Sequence, residues 1–152
     1  MSYQSINVTV EGTPVPQGSM RAYVRGGKPV IVHDKPELKT WRDKIRLTVY
    51  AEAKRQGVQL PLGKNKNPVG VEAAFYFKRP KTVKKGKKLV SVKPDLDKLL
   101  RAVGDALGEP GAYQIIENDS RIVYIRGGKY YTDDKPRLIL SIEEEVWLTE
   151  KE

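Results

Sequence analysis

The stretch "KPDLDKLLRAVGDAL", residues 93–107, places Leu96, Leu99, Leu100, Val103, Ala106 and Leu107 at spacings near 3.6, which gives a helix with one apolar face. Gly108, Glu109 and Pro110 end it. At its start Pro94 disfavours helical backbone at Lys93, and aspartate is among the best N-cap residues, so Asp95 is expected at the boundary with Asp97 in the first turn. On both sides of this helix the apolar period drops to two. Before it, Val71, Ala73, Phe75 and Phe77 alternate with Glu72, Ala74, Tyr76 and Lys78; after it, "RIVYIRGG" and "RLILSIEEE" read as two strands separated by "KYYTDDKP".

Further towards the N-terminus, Ile6, Val8 and Val10 predict a first strand, stopped by the proline- and glycine-rich "EGTPVPQG". "AYVRGGKPVIV" reads as a hairpin turning at Gly26-Gly27. Leu38, Trp41, Ile45, Val49 and Ala53 then share one helical face, which predicts a helix over residues 35–56 with Asp34 and Glu37 as a capping box and Gly57 as its stop. No internal repeat or linking tract interrupts the 152 residues, a length that suits one core better than two. The expected architecture is α+β, a single domain over residues 1–152 with a mixed or antiparallel β-sheet packed against two main helices.

Charge narrows the function. Lys and Arg number 28 against 19 Asp and Glu, a formal net charge of +9, so the expected partner is polyanionic, with nucleic acid ahead of an anionic membrane surface. The absence of cysteine excludes disulfides, thiolate metal sites and cysteine nucleophiles, and a single histidine, His33, excludes a histidine-rich metal site. "MSYQSINVTVEG" does not read as a signal peptide, and no apolar run approaches the ~18 residues that span a bilayer, so a soluble, cytoplasmic protein is expected, with no membrane partner.

The basic charge is concentrated just before the second helix. Residues 78–93 carry Lys78, Arg79, Lys81, Lys84, Lys85, Lys87, Lys88 and Lys93 and no acidic side chain, so the segment is expected to be a mobile loop until an anion screens it. Arg21, Arg25, Lys28, Arg42 and Arg46 could extend the same surface.

Carboxylates follow this lysine-rich segment directly. Asp95 and Asp97 would lie about 200° apart on a regular helix, but an N-cap conformation at Asp95 lets both reach one point. Asp97, Arg101 and Asp105 then recur at i, i+4 and i+8 on the face opposite the leucines. Two readings fit this spacing: a capped helix with a surface charge ladder, or a site. Asp119, in "IIENDSRIV", follows an apolar run and precedes a strand, which adds a third carboxylate of the kind that holds a hard cation such as Mg²⁺ for phosphodiester hydrolysis. His33 beside Asp34 reads as structural and Trp41 as core, while Tyr130-Tyr131 could stack on a base or close a hairpin. The acidic "EEEVWLTEKE" has no evident catalytic role and could contribute to a dimer contact or fray.

"PDLDKLLRAVGDAL" followed by "NDSRIV" resembles the RusA family of Holliday-junction resolvases, many of them phage or prophage enzymes, with "GTPVPQGSMRAYV", "GGKPVIVHDKPELKTWR" and "GGKYYTDDKPRLILSI" resembling the flanks of phage members. The resemblance implies a Mg²⁺-dependent endodeoxyribonuclease, with Mn²⁺ as an alternative ion, that resolves four-way and other branched DNA as a homodimer. It implies metal-binding, catalytic roles for Asp95, Asp97 and Asp119, with Asp105 in support. Three positions depart from the family pattern: Lys98 replaces an asparagine, Asn118 an aspartate, and Arg101 a lysine found in some members. A guanidinium stabilises a phosphorane but is a poor proton donor, so Lys98 or Lys129 is the expected substitute. The residues alone leave a second reading open, a non-catalytic basic nucleic-acid-binding module.

Overall fold

The computed structural model describes residues 1–18, 21–32 and 35–147, with residues 21–25 and 30–32 described by backbone alone. Six strands and two helices follow in the order β1 (Ser2–Glu11), β2 (Arg21–Arg25), β3 (Lys28–Val32), α1 (Pro36–Gln56), β4 (Val69–Lys78), α2 (Leu96–Gly108), β5 (Ile122–Thr132) and β6 (Arg137–Val146). The main sheet runs β1-β6-β4-β5, antiparallel except for the parallel pair β4 and β5, which α2 connects. A parallel pair needs such a crossover, and the apolar face of α2 covers the sheet at that point. Strands β2 and β3 form a separate hairpin around Gly26 and Gly27, both at positive φ.

The expected α+β sheet with two helices is what the chain forms. Alternation sends Ile6, Val8 and Val10 of β1, Val71, Ala73 and Phe75 of β4, and Leu138, Leu140 and Ile142 of β6 to one face, against Leu38, Trp41, Ile45 and Val49 of α1 and Leu99, Val103 and Leu107 of α2. Trp41 is a core residue, 4% exposed, as its helical spacing predicts. Gly57 ends α1 in the left-handed conformation at φ 73, where the absence of a Cβ removes the penalty. Among the described residues, no helix is long and apolar enough to cross a membrane.

Three local expectations are corrected. The N-cap of α1 is Lys35, without a side-chain cap, and Pro36 at the first helical position supplies the required φ. Asp34, like His33, lies outside the described residues. The strand at "RIVYIRGG" continues through Tyr130 and Tyr131 to Thr132, because β4 pairs with it as far as Lys78; Tyr130 also stacks on Tyr76 with ring centroids 5.3 Å apart, and Arg79 lies over Tyr131. They do not close a hairpin, since β5 and β6 are not neighbours in the sheet.

The third correction concerns the acidic tail. Its first residues belong to β6, and alternation places Glu144 inward with Ile142, 3% exposed. Its Oε2 accepts the Gly63 N–H at 2.7 Å and its Oε1 accepts the side-chain amide of Gln4. Glu144→Ala would leave both donors without their acceptor. A loss of about 1–3 kcal/mol of stability is expected, read as a lower denaturant midpoint with an unchanged slope.

Candidate active site

The outer face of α2, the turn that precedes β5 and the start of β5 line an open pocket of about 450 Å³. Asp97 and Arg101 contribute from the first two turns of α2, Asp105 from its last turn, and Asp119 from the short 3-10 turn Asp119–Arg121; Leu100, Ile122 and Ile125 form an apolar wall. The local sequence explains the arrangement. Leu99, Val103 and Leu107 of α2 pack into the core, so the i, i+4, i+8 charges lie on the opposite side of the helix. Asn118 accepts the Ser120 N–H at 2.9 Å and holds Asp119 at the start of its turn.

Asp119 reaches the helix because residue 108 has no side chain. A Cβ built on Gly108 would lie 1.6 Å from Asp119 Oδ1 and 2.8 Å from its Cγ. Gly108 is the last residue of α2 and its φ is not positive, so nothing in its own backbone asks for glycine. Sequence reasoning used this glycine only as a stop signal. A helical glycine without a backbone reason, shortly before a candidate ligand, was the available clue.

Asp95, Asp97 and Asp119 do not converge. Asp95 occupies the N-cap position with extended backbone, φ −69 and ψ 136, yet its side chain makes no capping hydrogen bond. Its Oδ2 lies 3.6 Å from Lys98 Nζ, one turn along, and Asp95 is not among the residues lining the pocket. Among the described residues, no three acidic or histidine side chains stand close enough to share one ion. Asp97, Arg101, Asp105 and Asp119 instead share the lining of one pocket.

These donors fit a hard divalent cation. Such ions are commonly held by one or two carboxylates, with water and substrate phosphate completing the octahedron, so a closed protein triad is not required. Three carboxylates and one guanidinium line this pocket, within a chain of net charge +9. Asp105 and Asp119 also sit at the C-terminal end of α2, where the helix dipole disfavours negative charge and a cation offsets it.

The other expected site residues divide into two groups. Lys129 Nζ donates to the carbonyls of Val92 at 2.7 Å and Pro94 at 2.8 Å, so it fixes the backbone that leads into Asp95. The 78–93 segment is tied to β5: Leu89 bridges Tyr130, Val90 N–H donates to Lys129 and Tyr131 N–H to Lys88. Arg79 is its anchor, only 9% exposed at the side chain, bonded to Asp133 and to the carbonyls of Lys84 and Lys87. Lys78 donates to the Asp133 carbonyl. Lys81, Lys84, Lys85, Lys87, Lys88 and Lys93 are exposed.

Arg46 pairs with Asp43 and Glu109, bracing α1 against the end of α2, and Arg42 contacts Gln17. The side chain of Arg21 lies outside the described residues, as does that of Arg25.

A family model described as Endodeoxyribonuclease RusA matches residues 11–143 of the chain. The chain is also 30% identical over 149 residues to "Uncharacterized protein YqaN" of Bacillus subtilis (strain 168), covering 91% of this chain and 96% of that protein.

Proposed function

Because the chain belongs to the RusA endodeoxyribonuclease family, nucleases of junction DNA that generally depend on a divalent metal, we propose that it resolves Holliday junctions by paired, symmetric, Mg²⁺-dependent cleavage. The observation that carries this reading is the convergence of Asp97, Asp119 and Arg101 on one pocket in a strongly basic chain.

In this reading Asp97 and Asp119 hold the cation. When bound, it supplies Lewis-acid polarisation of the scissile phosphate and a lowered pKa for the attacking water. Arg101 faces the same pocket and stabilises the charge that builds on the phosphorane, a role suited to a permanently charged planar donor set. Lys98 Nζ lies 3.6 Å from Asp95 Oδ2 with both side chains about half exposed, so its ammonium is accessible to a phosphate. Lys129 acts by positioning Asp95 through the 92–94 backbone. Two copies related by a two-fold axis match the near two-fold symmetry of a four-way junction, so a homodimer is the working assembly.

The test is incision of a synthetic four-way junction beside a linear duplex, with and without Mg²⁺. Mg²⁺-dependent nicks at symmetric positions are expected, with loss in Asp97→Asn; junction binding at low salt without any incision would point instead to a non-catalytic DNA-binding module.

Gly108→Ala separates activity from stability. Alanine is favoured over glycine in a helix by up to about 1 kcal/mol, so the melting temperature is expected to hold or rise. The methyl group displaces the Asp119 carboxylate, so cleavage at limiting Mg²⁺ is expected to fall by about 10–100-fold, the range seen when a metal ligand's support is disturbed. A parallel fall in both would show Gly108 to be structural.

A further inference from the structure

The loop over residues 63–67, "GKNKN", is held in a conformation that its sequence does not favour. Gly63, Asn65 and Lys66 all have positive φ, at 86°, 60° and 61°. Glycine and asparagine tolerate this region, whereas the Cβ of a lysine is crowded there. Such backbone persists only where the surroundings enforce it, and here they do. The buried Glu144 carboxylate accepts the Gly63 N–H, and the buried Asn67 side chain accepts the Trp147 N–H at 3.1 Å. From the side, Arg121 Nε donates to the Gly63 carbonyl at 2.9 Å, and a Cβ on Gly63 would lie 2.7 Å from Arg121 Cγ.

Two buried polar side chains therefore fix a turn whose visible product is a pair of exposed lysines, Lys64 and Lys66, with no acidic residue between Pro61 and Gly70. Their location matters. Arg121 ends the turn that begins at Asp119, Leu62 bridges Ile116, and the Ile116 N–H donates to Leu107 near the end of α2. The 63–67 loop thus lies at the C-terminal end of α2, while the lysines of 78–93 lead into its N-terminus. A helix of 13 residues is roughly 20 Å long, about six base-pair steps of a DNA strand at 3.4 Å each.

We propose that Lys64 and Lys66 form a second DNA-backbone site, gripping phosphates on the side of the pocket opposite to those held by the 78–93 segment. The inference rests on the junction-cleavage reading. With contacts at both ends of α2, the strand is held across Asp97 and Asp119 instead of pivoting on one side.

The experiment uses the full chain and a four-way junction in the presence of chelator, measuring affinity from 50 to 200 mM salt. Lys64→Gln/Lys66→Gln is expected to flatten the slope of log K against log salt by about 1.8, two contacts at about 0.9 each. Hydroxyl-radical footprinting should show protection lost on one flank of the cut only. Lys66→Gly, which accepts the left-handed backbone, should flatten the slope by about half as much while the melting temperature holds or rises, so a binding loss there is not misfolding. Unchanged slopes and footprint in both variants, with the wild-type chain still incising junctions, overturn this inference alone. Failure of the wild-type chain to incise removes the reading beneath it.

Discussion

Asp119→Asn is expected to abolish junction cleavage, by more than about 100-fold, while junction binding is kept or tightened. Loss of a supporting contact around a metal already costs 10–100-fold, and removing a ligand costs more. The substitution keeps the shape of the side chain and its place against Gly108, so the fold is undisturbed and the melting temperature should stay within experimental scatter. Binding gains because one negative charge leaves a pocket where Asp97 and Asp105 already oppose an incoming phosphate. The assay measures single-turnover incision and, separately, affinity with the metal chelated. Equal cleavage by the variant would remove Asp119 from the metal site, and loss of binding together with cleavage would make it a folding residue.

A second large effect is expected from the basic segment. Replacing Lys84, Lys85, Lys87 and Lys88 by glutamine removes four exposed cations without touching the Arg79 anchor. If all four meet phosphates, the salt slope flattens by about 3.6, and junction affinity at 0.1 M salt falls by about a thousandfold. Arg79→Gln should behave differently. Its guanidinium is tied to Asp133 and two loop carbonyls, so its loss is expected to lower the melting temperature first and to weaken binding only through a loosened loop. A salt slope unchanged in the quadruple variant would mean that the lysines serve solubility alone.

Most of the fold was legible because it depends on apolar spacing. The buried positions of α1 and the alternating core residues of β1, β4 and β6 lie where the periods of 3.6 and 2 put them. The candidate site was legible only in part. The spacing of Asp97, Arg101 and Asp105 identified a polar face, and Asp119 lines the same pocket, but the direction of the Asp95 side chain was not readable. That direction depends on competition between a backbone cap and the Lys98 ammonium, which no periodicity encodes. Gly108 and Glu144 were missed for a related reason. A glycine can end a helix or make room for a carboxylate, and a glutamate in an acidic run can face water or accept two buried donors; only the three-dimensional neighbours distinguish these cases. Nor does the charge pattern of 78–93 encode the backbone hydrogen bonds that the segment makes to β5.

Those hydrogen bonds have a consequence for solubility. Where Leu89 bridges Tyr130, the lysine-rich segment lies along the outer rim of β5, the kind of unpaired margin at which sheets of separate molecules join edge to edge. Lys87 and Lys88 immediately precede that rung, so another strand approaching the rim meets like charges before it meets free amides. The same lysines proposed to meet a nucleic acid would thus keep concentrated protein from self-association when no nucleic acid is present.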